Sequence, residues 1–241
     1  MTRRVIADLT TTDPQATAPV AVLPVGSFEQ HGPYLPLGTD TLIACAITTS
    51  IAKHHNAFQL PPITFGCSHE HDDFPGTVSI SPTTLHSVIT DVAASLTVHS
   101  VRGLIIVNAH GGNAVLTNTV QQANRPGAAI TLGLYPSRED WDHARTAAAL
   151  VSNMHGDMHA GELETSILLA AYPEYLRDGW ASADHDATDR RYLTTVGMRA
   201  YTDSGVIGYP SHATADKGHR ILDDLGQAAK SLIDLVTARS L

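Results

Sequence analysis

The sequence predicts an α/β fold in which a mainly parallel central sheet carries helices on both faces. Three observations predict it. Short apolar runs at 20–25 and 103–108 read as buried strands, because a strand covered on both faces is apolar at nearly every position. Segments with apolar residues at three- and four-residue spacing follow such runs, as a helix burying one face requires. Strands and helices alternate along the chain, and a strand followed by a helix returns to a parallel neighbour. The 241 residues, 43% hydrophobic and 16% charged, suit one domain spanning 1–241 with a full core.

Residues 1–18 are polar, with Thr10-Thr11-Thr12-Asp13-Pro14, and read as a surface lead-in. The strand at 20–25 feeds a loop of glycines and prolines that ends near Asp40. Residues 41–54 place apolar side chains at 42, 43, 46, 47 and 51, a helical spacing. A second strand is expected at 60–65, interrupted at its start by Pro61-Pro62, followed by a polar loop over 66–77. Ser81-Pro82 opens a helix to about residue 99, with proline suited to the first turn. The strand at 103–108 runs into Ala109-His110-Gly111-Gly112-Asn113 and a helix from about 114. Another strand is expected at 128–134, and Ser137-Arg138-Glu139-Asp140 opens a helix with acids in its first turn. A His/Gly-rich loop at 154–161 leads to a short helix at 162–171. Residues 176–204 are polar and weakly periodic, 205–208 suggest a short strand, and 216–238 read as one closing helix.

The formal charge of −9, with no basic stripe, argues against nucleic acid and against an anionic membrane surface. Two arginines near the start precede no long apolar segment, so neither a signal peptide nor a membrane span is expected. Two cysteines make no disulfide framework, and a cytoplasmic setting follows as the default. Fourteen histidines point toward metal or acid/base chemistry.

The loop after the first strand carries Glu29, His31 and Asp40, two carboxylates and an imidazole where an α/β sheet puts its active site. Glu29 and His31 are two apart and point the same way in extended backbone. Asp40 suits either an N-cap of the next helix or a bridge between two metals. His110 is a candidate ligand at the end of a buried strand, and its glycines admit a ligand close to the backbone. Asn108 and Asn113 are candidates to orient it or to bind substrate. His155, Asp157, His159, Glu162 and Glu164 cluster at a helix start: His159 and Glu162 fit a capping pair, while Glu164 is placed to reach a metal or to hold His159. Glu70 and His71 are candidates to sense substrate. No nucleophile accompanies them: Ser27 is not in a Gly-x-Ser-x-Gly elbow, and no P-loop or Gly-x-Gly-x-x-Gly occurs. The joint reading is a metal-activated water, with two divalent ions about 3.5–4 Å apart.

At this point the motifs resemble those of the creatininase family of amidohydrolases. Gly26-Ser27-Phe28-Glu29-Gln30-His31-Gly32-Pro33 with Leu35-Pro36-Leu37-Gly38-Thr39-Asp40 is similar to the first signature. Gly66, Ser68, Glu70 and His71 with Phe74-Pro75-Gly76-Thr77 resemble the second. Asn108, His110, Gly111, Gly112 and Asn113 resemble the third, and His159-Ala160-Gly161-Glu162, Glu164, Thr165 and Ser166 the fourth. The resemblance implies a three-layer α/β/α sandwich, a homohexamer, and two ions of zinc, manganese or iron per subunit. It implies Glu29, Asp40 and His110 on one ion and His31 with bridging Asp40 on the other, and His159 as the acid/base that protonates the leaving nitrogen. Creatininase supplies another glutamate where Gly112 stands here, so Glu164 is the replacement candidate, with Glu162 the alternative. The segment before His159 lacks the tryptophan clamp of creatininase. Glu70, His71, Gly111, Gly112, Asn113 and His155 are then the expected substrate contacts. The activity implied is hydrolysis of a C–N amide bond in a small polar substrate by a metal-bound hydroxide. Alternatives are a peptidase trimming the mycofactocin precursor peptide, and a silent ligand-binding homologue.

Overall fold

The computed structural model describes residue 6, residues 8–99 and residues 101–238. The expected lead-in lies partly outside them; its described part forms a 3-10 turn, Pro14–Thr17, with no buried residue. Strands β1 (Val20–Val25), β2 (Phe58–Gln59), β3 (Gly103–Asn108) and β4 (Thr131–Tyr135) make one sheet in the order β2-β1-β3-β4. Every neighbouring pair is parallel. The helices are α1 (Thr39–His54), α2 (Pro82–Thr97), α3 (Val115–Ala123), α4 (Arg138–Ala147), α5 (Glu162–Ala171), α6 (Leu193–Val196), α7 (Ala215–Ala228) and α8 (Lys230–Ala238).

Period-two alternation divides the sheet between two cores. Val20, Val22, Ile105 and Val107 pack with Ile43, Ile47, Ile167 and Leu225 of α1, α5 and α7. Ala21, Leu23, Leu104 and Ile106 pack with Leu85, Ile89 and Leu116 of α2 and α3. A sheet buried on both faces between helical layers is the expected three-layer sandwich. The caps follow the sequence: Ser81 Oγ accepts from Thr84 N (3.1 Å), and Ser137 with Asp140 forms a reciprocal capping box.

Four expected elements differ. The strand at 60–65 shortens to Phe58–Gln59 plus a single bridge between Val25 and Ile63, because Pro61 and Pro62 have no N–H for a ladder. The strand at 128–134 begins only at Thr131; the Pro126-Gly127 turn, with Gly127 at φ +85°, precedes it. Residues 205–208 form bridges rather than a strand, Ile207 with His159 and Gly208 with His185. The closing helix breaks at Ala229. Before the break α7 lies on α5, α1 and α4; after it α8 crosses the sheet over β3 and β4. Glycines open that path: a Cβ at Gly133 would press on Leu232 at 3.0 Å, and one at Gly103 would press on Val236.

At the α5–α7 contact the same logic applies to buried Gly218, where a Cβ would overlap the Ser166 carbonyl oxygen. Helix propensity alone favours alanine there by about 1 kcal/mol. Overpacking outweighs it, so Gly218→Ala is expected to destabilise by about 1–3 kcal/mol, read as a lower urea midpoint at unchanged m-value.

Candidate metal centre

The carboxyl ends of β1 and β3 and the start of α5 converge on one place. β1 ends at Val25, and residues 26–38 loop over the sheet edge before α1. Within that loop Glu29 N donates to Leu37 O (3.0 Å), folding Glu29 and His31 inward until both are fully buried. Asp40 is in the first turn of α1 and does not cap it; Gly38 is the N-cap. Its carboxylate instead lies between imidazoles, Oδ1 at 3.2 Å from His31 Nε2 and Oδ2 at 3.3 Å from His110 Nδ1. His110, just beyond β3, places Nε2 at 3.2 Å from Glu29 Oε2. Glu164, in the first turn of α5, brings Oε2 to 3.8 Å from His31 Nε2 while accepting from Ala160 N at 2.6 Å.

Two donor sets result, Glu29 with Asp40 and His110, and His31 with Asp40 and Glu164. Within each, the ligand atoms lie within 4.8 Å of one another, and Asp40 belongs to both. A third set, Glu29 with His31 and His159, overlaps them. The imidazoles are held as metal ligands usually are, one nitrogen on a backbone carbonyl and the other turned inward. His31 Nδ1 donates to Glu29 O (3.1 Å) and His110 Nε2 to Cys67 O (2.9 Å). Both oxygens of Glu29 and Oδ2 of Asp40 are buried without a hydrogen bond of good geometry. Buried carboxylates demand compensation, and a divalent cation fits this mixed oxygen and nitrogen set.

Charge within the protein itself shows the same demand. Burial and Asp40 push the Glu29 carboxyl up, yet His110 and His71 outweigh them and hold it at about 2. Burial likewise opposes ionisation of Asp40, but His31 and His110 hold its carboxyl below the usual range. Burial lowers His31, but Asp40 and Glu164 raise it to about 9, and His110 is raised in the same way by Glu29 and Asp40. Burial, with His31 and His71 nearby, holds His159 well below its ordinary value. His31 and His110 therefore carry protons where cations would sit, and metal binding displaces such protons.

The remaining expected residues divide. Glu70, His71, Gly111, Gly112 and His159 line a cavity of about 600 Å3 over the donor sets. Gly112 has no room for a side chain: a Cβ would overlap Cys67 O, Glu70 Oε1 and His110 Nε2. Asn113 does not face the cavity. Its Nδ2 donates to Gly26 O and Asn108 Oδ1, and its Oδ1 accepts from Cys67 N, lacing three loops together. His155 is exposed and turns away, its Nε2 donating to Thr188 O (2.8 Å). The capping pair expected of His159 and Glu162 does not form. Gly161 is the N-cap, Asp157 accepts from Glu162 N and Leu163 N, and Glu162 is held by Lys217 Nζ (2.5 Å) and Ser152 N. Glu162 therefore stays away from the centre, and Glu164 reaches it.

Sequence reasoning missed three parts of the site. Gln30, between two ligand candidates, packs on His71 and His159; its position was the available signal. Thr194 and Val196 of α6 close the cavity from a stretch with no periodicity. A second cavity of about 280 Å3 lies behind His110, His159 and Glu164, walled by Pro136, Trp141 and Met154.

A mycofactocin precursor peptide peptidase of Mycobacterium ulcerans (strain Agy99) is 35% identical over 223 residues, covering 87% of this chain and 82% of that one. A creatinine amidohydrolase of Pseudomonas putida is 28% identical over 221 residues, covering 85% and 84%. The structure of a manganese creatininase superposes with a TM-score of 0.79 at 25% identity, covering 95% of this chain and 96% of that one. The creatininase family profile, described as creatinine amidohydrolase, matches residues 7–233. By that match and by the relatives that share it, the chain belongs to the creatininase family of amidohydrolases, hydrolases of carbon–nitrogen bonds.

Proposed function

We propose that this chain is a dinuclear metal-dependent amidohydrolase acting on a C–N bond of a peptide-derived amide. The observation that carries the reading is the shared carboxylate: Asp40 belongs to both donor sets, as a bridge between two ions requires. Zinc, manganese or iron held by Glu29, Asp40 and His110 and by His31, Asp40 and Glu164 would supply a water of lowered pKa and a polarised carbonyl. His159 is the proton carrier in this reading. Its Nε2 donates to Gln30 O (2.7 Å), which leaves Nδ1, 3.9 Å from Glu29 Oε1, to take a proton and pass it to the leaving nitrogen. The Gly111-Gly112 backbone and Glu70 wall the space where the substrate lies.

Two features favour a peptide over a molecule as small as creatinine. The cavities of about 600 and 280 Å3 share His110, His159 and Glu164 in their walls, so space lies on both sides of the residues that would act on the amide. The position that bears a ligand glutamate in creatininase is Gly112. The small cyclic amide or formamide remains the second reading, favoured by the relative that hydrolyses creatinine. A homohexamer in a cytoplasmic setting belongs to the proposal. Cys45 and Cys67 are free and buried, and no helix among the described residues is long and apolar enough to cross a membrane.

Zinc- or manganese-loaded protein incubated with the mycofactocin precursor peptide, creatinine and a formylaminopyrimidine, read by mass spectrometry, decides the substrate. Cleavage of the peptide, abolished by EDTA and restored by the divalent ion, is the expected result. Tight metal binding with no turnover of any amide would point to a silent homologue. Asp40→Ala is expected to lose metal and turnover together, each by more than about 100-fold; full metal content with full turnover would sink the assignment.

A second expectation concerns pH. In the metal-free protein His31 is raised from 6.5 to about 9 by Asp40 and Glu164 against burial. A raised folded value contributes stability that is complete below about 6.5 and lost as the pH rises through about 9. Calorimetry in EDTA should therefore show a melting temperature that falls across that interval, with a smaller fall once zinc replaces the proton.

A further inference from the structure

Gln30 stands between two ligand candidates and is 5% exposed. Every polar atom of its side chain has a partner. Oε1 accepts from Gly32 N at 2.9 Å, which fixes the oxygen end of the amide. Nε2 then has three neighbours, Gly205 O at 3.2 Å, His71 Nδ1 at 2.9 Å and His159 Nε2 at 3.1 Å, and two hydrogens to give. His159 Nε2 lies nearer the Gln30 carbonyl oxygen, at 2.7 Å, and donates there, so the amide hydrogens go to Gly205 O and His71 Nδ1. An amide nitrogen can only donate, so His71 Nδ1 carries the lone pair and His71 Nε2 the proton. That Nε2 lies 3.3 Å from Glu29 Oε1. The backbone carbonyl of Gln30 accepts from His159 Nε2, so His159 turns its unprotonated Nδ1 toward the same Glu29 oxygen. Gln30 thus sits behind both imidazoles that flank Glu29 Oε1.

We propose that Gln30 is a positioning residue that sets the tautomers of His71 and His159, so that His71 presents an N–H to Glu29 while His159 presents a lone pair. Its seat is Gly205, at φ +91°, where a Cβ would overlap the Gln30 carboxamide. Outer partners of this kind orient ligands and tune their basicity. The consequence for turnover rests on the amidohydrolase reading; the tautomers themselves do not.

The test is Gln30→Glu. A carboxylate of the same shape has no proton for His71 Nδ1, so the ring must carry one there itself, either moved from Nε2 or taken up from solvent as a second proton to give the imidazolium. Long-range proton–nitrogen correlation spectra of zinc-loaded protein labelled with 15N-histidine read the tautomers directly; His71→Gln and His159→Gln identify the signals. Wild type is expected to show Nε2–H for both rings. Gln30→Glu should show Nδ1–H at His71 with His159 unchanged. A wild-type His71 protonated on Nδ1, or the same His71 tautomer in both proteins, overturns the proposal, and the wild-type spectrum decides even if the variant does not fold. With the substrate in hand, kcat should fall about 10–100-fold in Gln30→Glu at unchanged KM and zinc content. A loss of kcat that only tracks lost zinc would mark Gln30 as a merely structural residue.

Discussion

The burial of Glu29 and Asp40 side by side is the constraint on which this structure turns. Both carboxylates are essentially without solvent, and each raises the free energy of ionising the other. Ion pairs with His31 and His110 hold them charged, but those imidazoles sit at distances and angles that leave three carboxylate oxygens without a good hydrogen bond. A fold that wanted only stability would replace such a cluster with apolar side chains. Its presence at the carboxyl ends of β1 and β3, where open α/β sheets bind ligands, marks a site kept for chemistry.

Precision at that site comes from partners far away in the chain. Asn113 joins the loops after β1, β2 and β3 through Gly26, Cys67 and Asn108. Asp157 gathers Arg145 NH2, Glu162 N, Leu163 N and Tyr209 N, fixing the turn that precedes α5. Tyr34 donates to the Ala160 carbonyl, and Ala160 takes a left-handed φ of +53° between His159 and the helix. A non-glycine residue in that region is strained by about 1–3 kcal/mol, and the surrounding bonds over-determine it. The strain places the His159 ring against His31, with centroids 4.2 Å apart.

How much of this was legible depended on how local the cause was. β1 and β3 were readable to the residue because continuous apolar runs have few alternative folds. The strand near 60 was not, since Pro61 and Pro62 remove the donors that would extend the ladder. The break at Ala229 was hidden because α8 seats against Gly103 and Gly133, far upstream in the chain, and no local pattern announces that contact. In the site, Glu29, His31, Asp40 and His110 were legible because ligand-type residues on loops at strand ends have few structural uses. Asn113 and His155 have the same chemistry but were claimed by Cys67 and Thr188, which no local pattern announces. Glu164 was favoured over Glu162 as the further ligand, and the structure separates them because Lys217 Nζ pairs with Glu162 and holds it away from the centre.

That selection bears on which molecules the site accepts. In the dinuclear reading proposed above, two dications with the carboxylates of Glu29, Asp40 and Glu164 would leave the centre about one charge positive, close to neutral once water ionises there. The rest of the cavity then sets the field. Glu70, Asp72 and Asp73 face it from the turn after β2, and among the described residues no lysine or arginine lines it. Arg145, in the rear cavity, is committed to Asp157 and the Ser152 carbonyl. Recognition of phosphate or carboxylate relies on paired guanidinium or ammonium donors, which this wall lacks, and its acids add like-charge repulsion. The same wall suits a neutral amide or one bearing a protonated amine. The geometry therefore suits an uncharged or cationic amide better than a phosphorylated one, in keeping with the peptide-derived substrate proposed above.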